Sequence, residues 1–509
     1  MPGMARTSRK IVIIGGGIAG LCAAVYGQKC SYDVEVMEQH DNAGGLATSW
    51  RRGDYIFETC LHWLLGANPE RGMHALWREV FDIDRLNFLH PEVFARIEIE
   101  HGEFLDVYAN VERMEEEFLN RAPQDATEIR RFSAAVRRFT NFELPDPSEP
   151  WPRNWTTLAR MLPYLQQIRR WSTISCAEYS KRFTHPLLRS FFGEGGSAQL
   201  AALALVLMFA WLTERDAGYA IGGSQAIIGL IADNLRNLGG RLRTGAPVEK
   251  ILVERDTAVG VRLASGETIA ADWVISAADG HATTDRLLGG RYGDVSDHTL
   301  KAFPSYLQVS LGVARDLSQQ PGYMIRVLDR PLVIDPGTEL SQLAFRFFHF
   351  DPSFAPPGKT AVTCFVPTEN WEFWMRLRQS DLTRYQAEKQ RIADAVIACL
   401  ERSLPDIRRV IELIDVSSPA TVIRYTNNWR GSYEGWLLTP GAGYRPLRNT
   451  LPGLRHFLMA GQWVMPGGGL PSGLFTARSA IQAVCRADRV PFLWRGAISR
   501  ARKVLKATA

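Results

Sequence analysis

Long apolar runs are scarce in this chain of 509 residues. The run that stands out, residues 200–212 (LAALALVLMFAWL), has thirteen residues, and a helix needs about 20 to cross a bilayer. It is read as a buried helix or as part of a hydrophobic channel. Cysteine is also sparse. Seven are present, an odd total with no C-x-x-C pair, which argues against a disulfide framework or a metal site and suits a reducing compartment. The opening MPGMARTSRK has basic residues but no apolar stretch of the kind a secretory signal needs, so a cytoplasmic protein is expected. Net charge is small, +5, and the five basic residues of 490–509 account for all of it. In that tail Trp494, Ile498, Ala501 and Leu505 recur at helical spacing, so it reads either as a basic amphipathic helix on the anionic inner face of a membrane or as a packed terminal helix with a solvated basic face. No nucleic-acid motif accompanies the charge, and none is expected to bind.

What the chain does have is concentrated in residues 10–38. Ile11, Val12, Ile13 and Ile14 form a β-branched run suited to a parallel strand buried on both faces. Gly15, Gly17 and Gly20 follow with G-x-G-x-x-G spacing. The first glycine allows a tight turn, the second lets the backbone approach a pyrophosphate, and the third lets helix and strand pack closely. Anions are favoured at the helix start because its unpaired N–H groups and dipole point there. Val34, Val36 and Met37 build a second strand, and Glu38 closes it where a carboxylate can accept hydrogen bonds from a ribose. No second credible fingerprint of this kind occurs.

Two further stretches extend the pattern. After Glu38 comes QHDNAGGLATS, with Gly44 and Gly45 on a loop; near the end, residues 457–480 read FLMAGQWVMPGGGLPSGLFTARSA, a strand, Gly461, a Gly/Pro loop and a helix expected to begin near Gly473. Together with residues 222–277 (a helix opened by Gly222-Gly223, a strand from Val248, a hairpin at Ser265-Gly266 and the strand ADWVISA) these resemble the phytoene desaturase, carotenoid isomerase and retinol saturase group of FAD-dependent oxidoreductases. The resemblance implies an α/β fold: an FAD-binding Rossmann-like domain (1–90, 214–285 and 418–489) interleaved with an α+β substrate domain of mixed or antiparallel sheet and helices (91–213 and 286–417). It implies FAD held by Gly15, Gly17, Ile18, Ala19, Gly20, Glu38, Gly44, Gly45, Leu46, Val248, Gly461, Gln462, Gly473 and Leu474. Gln462 stands where the group usually has an acid.

Catalytic residues are harder to place. The strand-like Tyr55-Ile56-Phe57 is followed by Glu58, Thr59, Cys60, Leu61 and His62, where the group usually has an aspartate and a glycine turn. Glu58 and His62 are the candidates there, His62 as an acid/base beside the flavin or as a histidine that hydrogen-bonds a loop carbonyl. Phe345, Phe347, Phe348 and Phe350 could wall an apolar substrate or fill a core. Gly195-Gly196 and Ser197 are expected to mark the start of the apolar run. The expected substrate is a hydrophobic small molecule, a polyene or isoprenoid that is desaturated, saturated, isomerised or reductively cyclised, with a quinone, oxygen or a partner protein exchanging electrons. A flavin amine oxidase releasing hydrogen peroxide and a non-catalytic polyene carrier are the alternatives.

Overall fold

The computed structural model describes residues 8–99, 102–146, 159–193, 198–293, 299–443 and 446–492. Gly195-Gly196, Ser197 and the tail beyond Phe492 lie outside them.

The β-branched strand Lys10–Ile14 is the middle of a five-stranded sheet in the order Arg241–Arg243, Asp33–Met37, Lys10–Ile14, Trp273–Ser276, Phe457–Met459. Every pairing in it is parallel. Ile11, Val12 and Ile13 are fully buried, as befits a strand covered on both faces. On one face the helix Ile18–Lys29 packs between the helices Gly223–Asn237 and Gly469–Asp488. Its small residues Ala19, Gly20, Cys22, Ala23 and Ala24 are buried, because a helix enclosed on several sides cannot carry long side chains there.

A second sheet has seven strands in the order Ile411–Ser417, Ser305–Val313, Thr360–Thr368, Thr338–Phe347, Tyr323–Asp335, Val93–Glu98, Phe104–Tyr108. Its pairings are antiparallel except the parallel join of Tyr323–Asp335 to Val93–Glu98. The period of two along these strands divides their residues between two faces. Leu307, Val309, Leu311, Phe345 and Phe347 point into a core with Ile392, Val396 and Leu400 of the helix Leu382–Ser403. Tyr306, Tyr323, Ala344 and Phe365 face a large cavity. The aromatic stripe at Phe345 and Phe347 therefore fills a core and does not wall a channel.

The helices between Val111 and Thr213 close the cavity from the other side. The apolar run forms the helix Ala202–Thr213, and it serves both purposes foreseen for it. Leu203, Ala204, Leu207, Met208 and Trp211 line the cavity, while Val206, Phe209 and Ala210 are buried against the neighbouring helices. Among the described residues no helix is long and apolar enough to cross a membrane.

Candidate active site

A single cavity of about 1170 Å³ begins at the glycine turn and runs beneath the seven-stranded sheet. Gly15, Gly17, Ile18 and Ala19 line its first part, as do Glu38, Gly44, Gly45, Leu46 and Val248. Gly461, Gln462 and Gly473 reach it from the last segment of the chain. These twelve residues come from four separate stretches of sequence: three follow strands of the parallel sheet, and Val248 begins the antiparallel strand Val248–Glu254.

The turn depends on its glycines in different ways. Gly15 has φ +96 and donates its N–H to Met37 O at 2.8 Å, a backbone that only glycine adopts without strain. Gly20 is required by packing, since a Cβ on it would lie 1.9 Å from Gly15 O. It stands behind the turn and does not line the cavity. Over Gly17 there is room: the nearest atom to an added Cβ would be Gly44 O at 3.6 Å. No side chain caps the helix that follows, and no acid occupies its first turn, which leaves its N–H groups directed at the cavity.

Glu38 is 6% exposed. Its Oε2 accepts from Gly16 N at 2.7 Å and its Oε1 from His40 N at 2.9 Å. The carboxylate thus braces the glycine turn and retains a lone pair on each oxygen for a ligand hydroxyl.

The closing helix starts at Gly469, four residues before the expected start, so Gly473 lies within its first turns. A Cβ on Gly473 would come within 2.6 Å of Ile18 Cγ2, so this glycine lets the starts of two helices converge on the cavity. Leu474, the next residue, is fully buried in the core and does not line the cavity; successive residues of a helix point about 100° apart. Gln462 donates one side-chain N–H to Asn428 Oδ1 at 3.2 Å, which leaves its oxygen and its second N–H for a ligand.

Of the two catalytic candidates, Glu58 is a correction. It ends the strand Tyr55–Glu58, is 2% exposed and does not line the cavity. Its Oε2 accepts from Ser224 N at 2.8 Å, and its Oε1 accepts from Ser224 Oγ at 2.9 Å, Cys60 N at 3.0 Å and Leu61 N at 3.3 Å. Glu58 binds the exposed donors at the start of the helix Gly223–Asn237, where a capping group is needed.

His62 does line the cavity, edge-on to Tyr323 with ring centres 6.0 Å apart. Its ring is open to the cavity, but protein surrounds the cavity itself. That enclosure, with the Arg346 cation, pushes the imidazole down to about 3. A histidine held neutral in this way lacks the ready protonation near pH 7 that made it attractive as an acid/base. Arg346 is itself half-buried, donates to Leu61 O and lies over the rings of Tyr219 and Phe348, 5.7 and 5.1 Å from their centres.

Several cavity residues carried no signal in the sequence. Asp279 accepts from Ala282 N at 2.7 Å and Trp429 N at 2.8 Å, and burial pushes it up to about 6. Tyr433 and Glu434 stand on an irregular segment, and burial pushes the Glu434 carboxyl up to about 8. The rest of the lining is of two kinds. Phe94, Phe139, Phe142, Phe191 and the helix Ala202–Thr213 supply apolar wall, and Gln199, Glu339, Ser341, Gln342 and Glu369 supply polar wall.

The pattern of the family described as flavin containing amine oxidoreductase matches residues 18–485. A phytoene desaturase (neurosporene-forming) of Cereibacter sphaeroides is 25% identical over 92% of this chain and 93% of its own length. Prolycopene isomerase 1, chloroplastic, of an Oncidium hybrid cultivar is 24% identical over 83% of this chain and 74% of its own. Among solved structures, cyclohexylamine oxidase from Brevibacterium oxydans shares the fold with a TM-score of 0.58 at 13% identity, covering 95% of this chain and 100% of that one.

Proposed function

Because the chain belongs to the flavin containing amine oxidoreductase family, we propose that this FAD-dependent oxidoreductase acts on a long apolar polyene or isoprenoid, desaturating, saturating or isomerising its carbon–carbon bonds. One observation carries the reading. The cavity that includes the nucleotide turn is also walled by the apolar residues Leu203, Ala204, Leu207 and Met208. A cavity of this size and lining suits a ligand with little polar surface to satisfy. The two curated relatives named above act, by their names, on phytoene and prolycopene.

The residues present fit FAD. The uncapped helix after Gly17 and the start of the closing helix offer N–H donors and positive dipole ends to phosphates and to a reduced ring. The space over Gly17 admits a pyrophosphate, and the free lone pairs of Glu38 suit ribose hydroxyls. Gly15, Ile18, Ala19, Gly44, Gly45, Leu46, Val248, Gly461, Gln462 and Gly473 complete this holding site in our reading. When bound, FAD supplies hydride chemistry. The chain's part is to orient the substrate, exclude water and manage protons. Electrons pass to or from a quinone, oxygen or a partner protein in this scheme.

Entry of such a substrate calls for a lipid surface. Leu162 and Leu165 are 61% and 43% exposed beside Met161 and Ile168, which line the cavity, and Arg169 and Arg170 follow on the helix Leu165–Ser172. Apolar and basic residues side by side suit a peripheral seat on an anionic, inner membrane face.

The test is an anaerobic absorbance spectrum of the FAD-loaded protein before and after phytoene in micelles is added. Flavin bleaching with a two-hydrogen mass loss in the polyene, or reoxidation of pre-reduced flavin with a mass gain, supports the reading. A polyene shift without mass change selects isomerisation. Bleaching by amines and not by polyenes would replace this reading with amine oxidation and peroxide release.

A further inference from the structure

Glu434 is a carboxyl with a place made for it and no partner in that place. It lines the cavity beside Tyr433. Its side chain forms no hydrogen bond or ion pair with a described residue, and burial is the one influence on its proton affinity. A half-buried carboxyl turned to a ligand cavity and lacking a partner among the described residues is available to a ligand or a reaction.

The backbone nearby is cut to fit it. A Cβ on Gly468 would fall 2.2 Å from Glu434 Cγ and 2.4 Å from Glu434 O, and one on Gly469 would fall 3.3 Å from Oε1. Both glycines border the cavity at the start of the closing helix. Any side chain at Gly468 would displace the glutamate.

Among the described groups beside it, none other is poised to exchange a proton near neutral pH; Asp279, elsewhere on the cavity wall and pushed up to about 6, already accepts from Ala282 N and Trp429 N. Burial holds the Tyr433, Tyr306 and Tyr323 hydroxyls and the Cys60 thiol protonated, and His62 is held neutral. Arg346, the cation that acts on His62, is engaged with Leu61 O.

We propose that Glu434 exchanges a proton with the substrate carbon adjacent to the one that exchanges a hydride with FAD, an assignment that rests on the functional reading above. In the oxidative direction one C–H bond breaks and its electron pair leaves with the hydrogen to oxidised FAD. The neighbouring C–H bond then breaks, its pair forms the new C=C bond, and the proton goes to Glu434 Oε. Reduction runs the same atoms backwards. A hydrocarbon has no acidic proton of its own; the neighbouring hydrogen becomes acidic only as the hydride departs, so the base must already be in contact and dry. A carboxyl pushed up to about 8 binds that proton more firmly than an ordinary one and still releases it near working pH.

The experiment compares FAD-loaded wild type with Glu434→Gln. Infrared difference spectra across the range from about pH 6 to pH 10 should show a protonated carboxyl band lost with a midpoint near 8, and this band should be missing in the variant. Single-turnover bleaching by phytoene should rise through the same midpoint in the wild type and be about 100-fold slower and pH-independent in the variant. FAD occupancy and reduction by dithionite should match in the two proteins. A variant that bleaches within a few-fold of wild type with the same pH profile overturns the proposal. So does pH-independent bleaching of the wild type, which decides the matter even if the variant does not fold. Protein that takes up no FAD, or flavin indifferent to polyenes in both proteins, would instead count against the parent reading.

Discussion

Gly17 and Gly20 sit three residues apart and fail differently when changed. At Gly20 an added methyl meets Gly15 O at 1.9 Å. Gly20→Ala is expected to lower stability by about 1–3 kcal/mol or to prevent folding, read as a fall in thermal midpoint of the apoprotein. At Gly17 a methyl has space, but a larger group enters the cavity. Gly17→Val should leave the apoprotein's unfolding unchanged and abolish flavin uptake, measured by absorbance after gel filtration with FAD; full occupancy would refute the role of this turn. Glu58 belongs with Gly20. Replacing it by alanine strands the donors of Ser224, Cys60 and Leu61, and a loss of roughly 2–3 kcal/mol should appear in denaturant unfolding. Flavin reduction in the folded fraction should survive. His62 makes a pH prediction of definite sign. Its folded value is depressed from 6.5 to about 3, so below pH 6.5 the unfolded chain binds the proton and the folded one does not. Stability is therefore lost as pH falls from 6.5 toward 3, and His62→Gln should flatten that acid limb in a series of unfolding curves.

At the scale of elements, the closing helix is anchored by charge as well as by its glycines. Arg478 is 2% exposed and donates to Glu79 at 3.0 Å and to Asp146 at 2.9 Å, while Tyr26 OH also donates to Glu79 at 2.9 Å. Arg478→Ala would leave the buried Glu79 without its cation, at a cost of about 3–5 kcal/mol, visible as a lowered unfolding midpoint and faster loss of flavin on warming. The elements themselves were legible wherever their cause is local. The strand Lys10–Ile14, the glycine turn and the helix Gly223–Asn237 are written in consecutive residues, through β-branching, spacing and helix-opening glycines. The sites that escaped detection are made by distant contacts. Glu434 looks like any surface glutamate until Gly468 and Gly469 are seen beside it, and Glu58 looks catalytic until Ser224 is found on its oxygens. Phe345 and Phe347 were ambiguous because alternation shows that a strand has two faces without saying which one meets the cavity.

For the molecule as a whole, the finite volume of the cavity, about 1170 Å³, sets a length limit on its ligand. Ala204 belongs to the apolar wall, and Ala204→Trp should fill the space beside it without touching the nucleotide end. Binding of FAD should be unchanged, while bleaching by long polyenes falls and that by shorter isoprenoids persists, as read across a chain-length series. If long and short chains are affected equally, the substrate lies elsewhere.

The order of strands in the nucleotide sheet also governs when the cofactor can be acquired. Its first glycine turn is made early in synthesis, yet the neighbouring strand Trp273–Ser276 and the outer strand Phe457–Met459 come from far along the chain, the last some 440 residues after Gly17. Closing such long loops is slow, and the nascent chain must wait with half a sheet open. Flavin is thus gripped only when nearly the whole polypeptide has left the ribosome, so the cofactor acts as a seal on completed chains: a prematurely ended product keeps an intact fingerprint, yet remains colourless and exposed to proteolysis.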